Sequence, residues 1–308
     1  MSEIKQYEPL WDSWQVDSLI DEDSFGKMYE VSREEFGNKY KAAVKFISIP
    51  FNESEIEQLV AEGMNNTSIK NHYHGHVQDI LKGINLMEQF KGTANIVSFE
   101  EFDLIEKKDG VGYDVLIRME HLENLSKHVF TEPFKLPEIL KMGIHICRAL
   151  ELCSLTKIIN WDIRPDNIFI SQCGDYKLGE FGVARKIEQT PSGLLKICTC
   201  TYNSAPEVFK GEECDASVDI YSLGIIMYRF LNQNRTLFLP DFPTVIKPSD
   251  RDEALQRRVK GEALPPIAGI DPSLNAVVLK ACAYDRRARF SLASEMCEAL
   301  EAVASGHI

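Results

Sequence analysis

Between Trp14 and Ile49 apolar and polar positions alternate in short runs, WQVDSLI, KMYEVSR and YKAAVKFISI, separated by brief turns. A period of two places one face of an extended chain on a core, so this stretch reads as three strands. From Glu53 to Phe90 the chain is polar and compatible with helix, and NIVSFEEFDLI and YDVLIRMEHL then restore the strand pattern. After Leu122 the period lengthens. LPEILKMGIHICRALELC and DIYSLGIIMYRFLN carry apolar residues at helical spacing, and so does the end of the chain from SLNAVVLKAC to MCEALEAV, behind breaks near Pro265 and Pro272. The pattern predicts an α+β fold: a small β-rich N-terminal lobe with one main helix over residues 1–122, and a larger helical lobe over 123–308. No internal repeat or low-complexity tract interrupts it.

Composition adds limits. The 308 residues suit one large domain or two lobes, and 44% hydrophobic residues suffice for a core. With 34 basic against 47 acidic residues the net charge is −13, which disfavours nucleic acid and anionic membrane as partners, since both need a basic surface. The eight cysteines are scattered without a C-x-x-C pair, a usage that suits a reducing compartment and a cytoplasmic location. MSEIKQYEPLW has no apolar leader-like core, and no apolar run approaches the ~18 positions of a membrane span. In HYHGH, His72, His74 and His76 alternate; without a fourth ligand they read as a polar segment connecting helices.

The hairpin-like LIDEDSFGKMY, followed one strand later by AAVK, resembles the start of a protein kinase, and the likeness runs in order along nearly the whole chain. NWDIRPDN resembles the catalytic loop, GEFG the metal-binding motif, APE at 205–207 the end of the activation segment, DIYSLG the start of a buried helix, and RRARF the late segment with a structural arginine. The style is that of bacterial Ser/Thr kinases. The resemblance implies a bilobal protein-kinase-like fold that uses ATP with magnesium. On it, Lys45 holds phosphates, Gly26 belongs to the phosphate loop, and Met28, Ala43, Met119, Glu120, Leu122 and Phe169 line the adenine slot. Asp162, Arg164 and Asn167 are the catalytic-loop residues, Asn167 and Glu180 the metal ligands, and Asp219, Glu207 and Arg289 the frame.

Kinase catalysis is placement and charge neutralisation, so each position can be checked against its task. Asp21 and Asp23 stand at the first two glycine positions of the phosphate loop. A carboxylate ~5 Å from a phosphate charge costs about 3 kcal/mol at an effective dielectric of ~20. The helix glutamate that would pair with Lys45 falls at Gly83, and Glu88, five residues on, lies ~140° around the helix. The usual His-Arg-Asp reads Asn160-Trp161-Asp162, so Trp161 cannot receive an activating phosphate. The metal-motif aspartate is Glu180, one methylene longer, and magnesium demands near-ideal octahedral geometry.

Damage at the chemistry with the frame retained points to a pseudokinase, binding no nucleotide or only weak ATP with magnesium. It would act as a binding or allosteric signalling module on a protein partner, such as a true kinase or another signalling protein. The alternatives are a slow ATP-dependent Ser/Thr kinase or a kinase-fold transferase that uses ATP in another way, and an ATP-binding switch without turnover.

Overall fold

The computed structural model describes residues 3–23, 26–50, 53–108, 111–179, 185–186, 202–240 and 244–306. The chain divides into two compact units, one of residues 1–93 with 97–122 and one of residues 94–96 with 123–308. Ala94–Ile96 join the second unit because the Asn95 amide donates to the Tyr176 carbonyl (3.0 Å) and Leu178 N–H donates to the Asn95 carbonyl (2.8 Å).

The first unit is an antiparallel sheet of β1 (Gln15–Asp23), β2 (Gly26–Glu35), β3 (Asn38–Ile49), β4 (Phe99–Glu106) and β5 (Tyr113–Glu120), in the order β1-β2-β3-β5-β4. β3 is central and covered on both faces. Ala42, Val44 and Phe46 join Ile4, Leu10, Trp14 and Leu116 in one buried cluster, and the opposite face meets α2. That is why Ala42–Val44 is a continuous buried run and not an alternating one. Arg118 lies over the rings of Trp14 (4.6 Å) and Trp11 (5.6 Å), pinning the N-terminal segment, while Glu100 neutralises it at 3.1 Å.

The polar stretch after β3 forms two helices, α1 (Glu53–Ala61) and α2 (Asn66–Gln89). Asn65 caps the second by accepting from Ser68 N–H at 2.9 Å. The histidine run corrects the reading of it as a connector, for it lies inside α2. A helix turns ~100° per residue, so the rings of His72 and His76 meet, tilted, with centroids 4.5 Å apart, while Tyr73 is buried. Among the described residues no cluster of metal-ligating side chains forms.

The second unit is built on α4 (Leu136–Leu155), α6 (Ser217–Leu231), α8 (Pro272–Ala281) and α9 (Ala293–Ala304). Shorter elements are α3 (Leu125–Thr131), α5 (Pro206–Lys210), α7 (Pro248–Val259) and the strands β6 (Glu123–Asn124), β7 (Ile158–Ile159), β8 (Ile168–Ile170), β9 (Tyr176–Leu178) and β10 (Arg185–Lys186). α6 is buried along its whole length except at Arg229. It approaches α8 closely because residue 224 is glycine: a Cβ there would lie 2.8 Å from both Ala281 Cβ and Cys282 Sγ. Cys147, Cys153, Cys282 and Cys297 are buried thiols of this core. No helix among the described residues is long and apolar enough to cross a membrane.

Candidate functional site

In the first unit the segment at the phosphate-loop position is a hairpin whose ladder continues to its end, pairing Asp21 with Met28, Glu22 with Lys27 and Asp23 with Gly26. Asp21 and Glu22 are exposed, and the Asp21 carboxylate accepts from Glu22 N–H at 2.9 Å. Lys27 meets Glu3 at 3.1 Å and Glu22 at 4.0 Å, so this cation is already shared by two carboxylates. Gly26 has φ +151°, and a Cβ there would lie 2.5 Å from the Phe46 carbonyl oxygen. The close approach of β2 to β3 is enough to require glycine.

Lys45 is half-buried on β3, between Met28 of β2 and Ile117 of β5. Ala43 is buried opposite Met119, while Met28, Met119, Glu120 and Leu122 are half-buried. The Glu120 carboxylate accepts from Ser98 N–H. Gly83 is buried in α2 and brings no side chain. Glu88 is exposed and pairs with Lys91 at 3.5 Å.

In the second unit the residues of the catalytic-loop resemblance converge. Asp219, at the buried start of α6, accepts from Asn160 N–H (2.7 Å) and Trp161 N–H (2.9 Å), holding the loop by its backbone. Trp161 is held at φ +70°, a region that costs a bulky residue about 1–2 kcal/mol. The two backbone hydrogen bonds that Asn160 and Trp161 donate to Asp219 offset that strain. Asn160 is fully buried; its side-chain Oδ1 accepts from Asp162 N–H at 3.1 Å. The Asn167 amide donates to the Asp162 carboxylate at 2.6 Å and to its carbonyl at 3.0 Å, so the two side chains share one locked geometry. Arg164 bonds the Asp166 carboxylate at 3.0 and 2.9 Å. Phe169 is half-buried on β8. Glu180 lies outside the described residues, as does the Asp23 side chain.

Burial raises the Asp219 carboxyl to about 7; the two backbone N–H donors oppose that rise and the charge of Asp162 adds to it. Elsewhere in this unit Arg289 donates to both Glu207 oxygens, at 2.6 and 2.9 Å, with both side chains buried.

The protein kinase domain family matches residues 15–301. The chain belongs to the protein kinase family. Its kinase domain is similar to bacterial Ser/Thr kinases: it is 34% identical over 157 residues to Serine/threonine-protein kinase PknB of Mycolicibacterium smegmatis, covering 49% of this chain and 24% of that protein. It is 32% identical over 214 residues to Serine/threonine-protein kinase PknB of Mycobacterium leprae (67% and 33%). It is 34% identical over 179 residues to Probable serine/threonine-protein kinase SCO3848 of Streptomyces coelicolor (56% and 25%). The matched segment thus spans a quarter to a third of these relatives.

The kinase domain also contains site features that no sequence motif exposes. Asn124 caps α3 through its carbonyl oxygen while its amide donates to the Asp166 carbonyl at 2.6 Å, tying the catalytic loop to the strand before that helix. Arg229, Arg251 and Arg258 lie in α6 and α7, far from the loop in sequence, yet line a cavity with it. In sequence each is an ordinary helical arginine.

Proposed function

We propose that this kinase-fold chain is a pseudokinase, a module that acts by binding a protein partner and transfers phosphate poorly or not at all. The observation that carries the reading is the acidic hairpin. Strand pairing reaches its tip, carboxylates occupy the glycine positions, and the retained Gly26 is explained by the Phe46 carbonyl. Gly83 supports it, because a buried glycine offers no carboxylate from α2 at that position. Asp162 and Asn167 have the oxygen chemistry a hard divalent ion takes. The hairpin does not fit a triphosphate, whose charge it repels. On the scattered cysteine spacing we place the protein in the cytoplasm.

Calorimetric titration tests the reading. ATP with magnesium should bind with a dissociation constant near or above ~1 mM and shift the melting temperature negligibly at millimolar nucleotide. Adenosine should bind no worse than ATP, and Asp21→Gly with Asp23→Gly should improve ATP binding more than adenosine binding. Low-micromolar ATP binding by the wild type refutes the repulsion. A second reading, a slow Ser/Thr kinase, is favoured by the locked Asp162–Asn167 pair, which is the geometry a hydroxyl acceptor site needs.

A further inference from the structure

The second unit contains a cavity of about 510 Å³ bounded by the catalytic loop, the ends of α6 and α7 and the segment Tyr202–Asn203. Its wall carries Arg164, Arg229, Arg235, Arg251 and Arg258 against a single carboxylate, Asp166. The chain as a whole carries a net charge of −13, so this basic wall runs against its overall charge.

Asp166 is engaged by Arg164. Arg229, the one α6 residue that is not buried, donates to the neutral Asn234 amide oxygen at 2.6 Å. Arg258 is 6% exposed. Its guanidinium donates to the carbonyls of Tyr202 and Ser204, and its Nε has no hydrogen-bond partner among the described residues. Among the described residues no carboxylate lies within ion-pair distance of Arg229, Arg251 or Arg258. Removing a guanidinium from water is unfavourable; at Arg258 the two carbonyls and the rings of Phe209 and Tyr221 offset that cost without supplying a counter-charge. Burial lowers the proton affinity of Arg258 and of Arg229, as expected of cations stripped of solvent.

We propose that this cavity binds the phosphoryl group of a phosphorylated peptide segment on the partner protein. Five arginines line this one space against a single carboxylate, and the oxygens of a dianion suit such a surplus of forked donors better than a carboxylate, which a single arginine satisfies. The volume is that of a pocket for a side chain with flanking backbone, larger than a lone ion requires. Arg164, Pro165 and Asp166 in its wall lie two to four residues after Asp162, so a segment seated there lies against the catalytic loop. The proposal names the partner chemistry of the binding module proposed above and rests on that reading. It requires no phosphoryl transfer.

The experiment is fluorescence anisotropy with the labelled peptide Gly-Ala-Ala-pThr-Ala-Ala-Gly, its unphosphorylated form, and a form with glutamate in place of the phosphothreonine. The full chain should bind the phosphopeptide at least ~10-fold more tightly than the unphosphorylated peptide, with the glutamate form between, and affinity should fall as salt rises. Arg251→Gln and Arg229→Gln, at sites that are exposed or half-buried, should each weaken the phosphopeptide ~5–10-fold without changing the melting temperature. Arg258→Gln should abolish the preference; if it unfolds the chain, the other two variants decide. Equal affinity for the three peptides, unchanged binding in Arg229→Gln with Arg251→Gln, or binding to anionic lipid vesicles in preference to the phosphopeptide would each overturn the proposal. Phosphate transfer from ATP, measured on the same samples by intact mass, bears on the pseudokinase reading alone.

Discussion

Arg289→Ala removes a buried, many-bonded side chain of the second unit. The guanidinium is fully buried and places two hydrogen bonds on Glu207, at 2.6 and 2.9 Å. It also donates to the carbonyls of Ala283 (2.8 Å), Ser217 (3.3 Å) and Tyr284 (3.3 Å), and it stacks over Tyr221 at 4.6 Å. Truncation leaves the Glu207 carboxylate buried without its cation and three acceptors short of a donor. Breaking a buried pair in this way costs about 3–5 kcal/mol. The carbonyl bonds are not added to that figure, because water entering the vacated space can satisfy some of them. Urea unfolding followed by tryptophan fluorescence measures the change as a lower midpoint at unchanged slope. Arg289→Met with Glu207→Leu provides the control. With both charges gone, the double variant should lie well above the sum of the single losses. An Arg289→Ala protein within ~1 kcal/mol of wild type would show that the pair does not brace this unit, and would refute the reasoning.

The Asp219 carboxyl keeps its proton to about pH 7 when folded and releases it near 3.8 when unfolded. Between those values the folded state holds more protons, so stability falls as pH rises, by ~1.4 kcal/mol per unit and on the order of 4 kcal/mol in all. Asp219→Asn should remove that slope in urea unfolding from pH 4 to 8, and a wild type that instead gains stability relative to the variant as pH rises contradicts it. Gly224→Ala forces a Cβ to 2.8 Å from Ala281 and Cys282 and should cost about 1–3 kcal/mol, read as a lower melting temperature; an unchanged melt sinks the close-packing argument. Incubation with ATP and magnesium should give no mass shift, and a shift that disappears in Asp162→Ala would replace the pseudokinase with the slow kinase.

Local periodicity determined much of this protein. A period of two over WQVDSLI and YDVLIRMEHL marked β1 and β5, and helical spacing in LPEILKMGIHICRALELC and DIYSLGIIMYRFLN marked α4 and α6, because the side-chain repeat of each element is a property of the chain itself. The order of motifs, from AAVK through NWDIRPDN to RRARF, was enough to indicate the family. Tertiary packing decided the rest. The polar Glu53–Phe90 stretch could not say where one helix ends and the next begins, nor that HYHGH lies within a helix whose buried face takes Tyr73. Gly26 looks like a phosphate-loop glycine in sequence, and only the approach of the Phe46 carbonyl gives it a structural cause. The arginine cavity shows the limit most plainly. Arg164, Arg229 and Arg258 are ordinary surface-type residues until a loop and the ends of two helices meet, and burial without a counter-charge exists only in three dimensions.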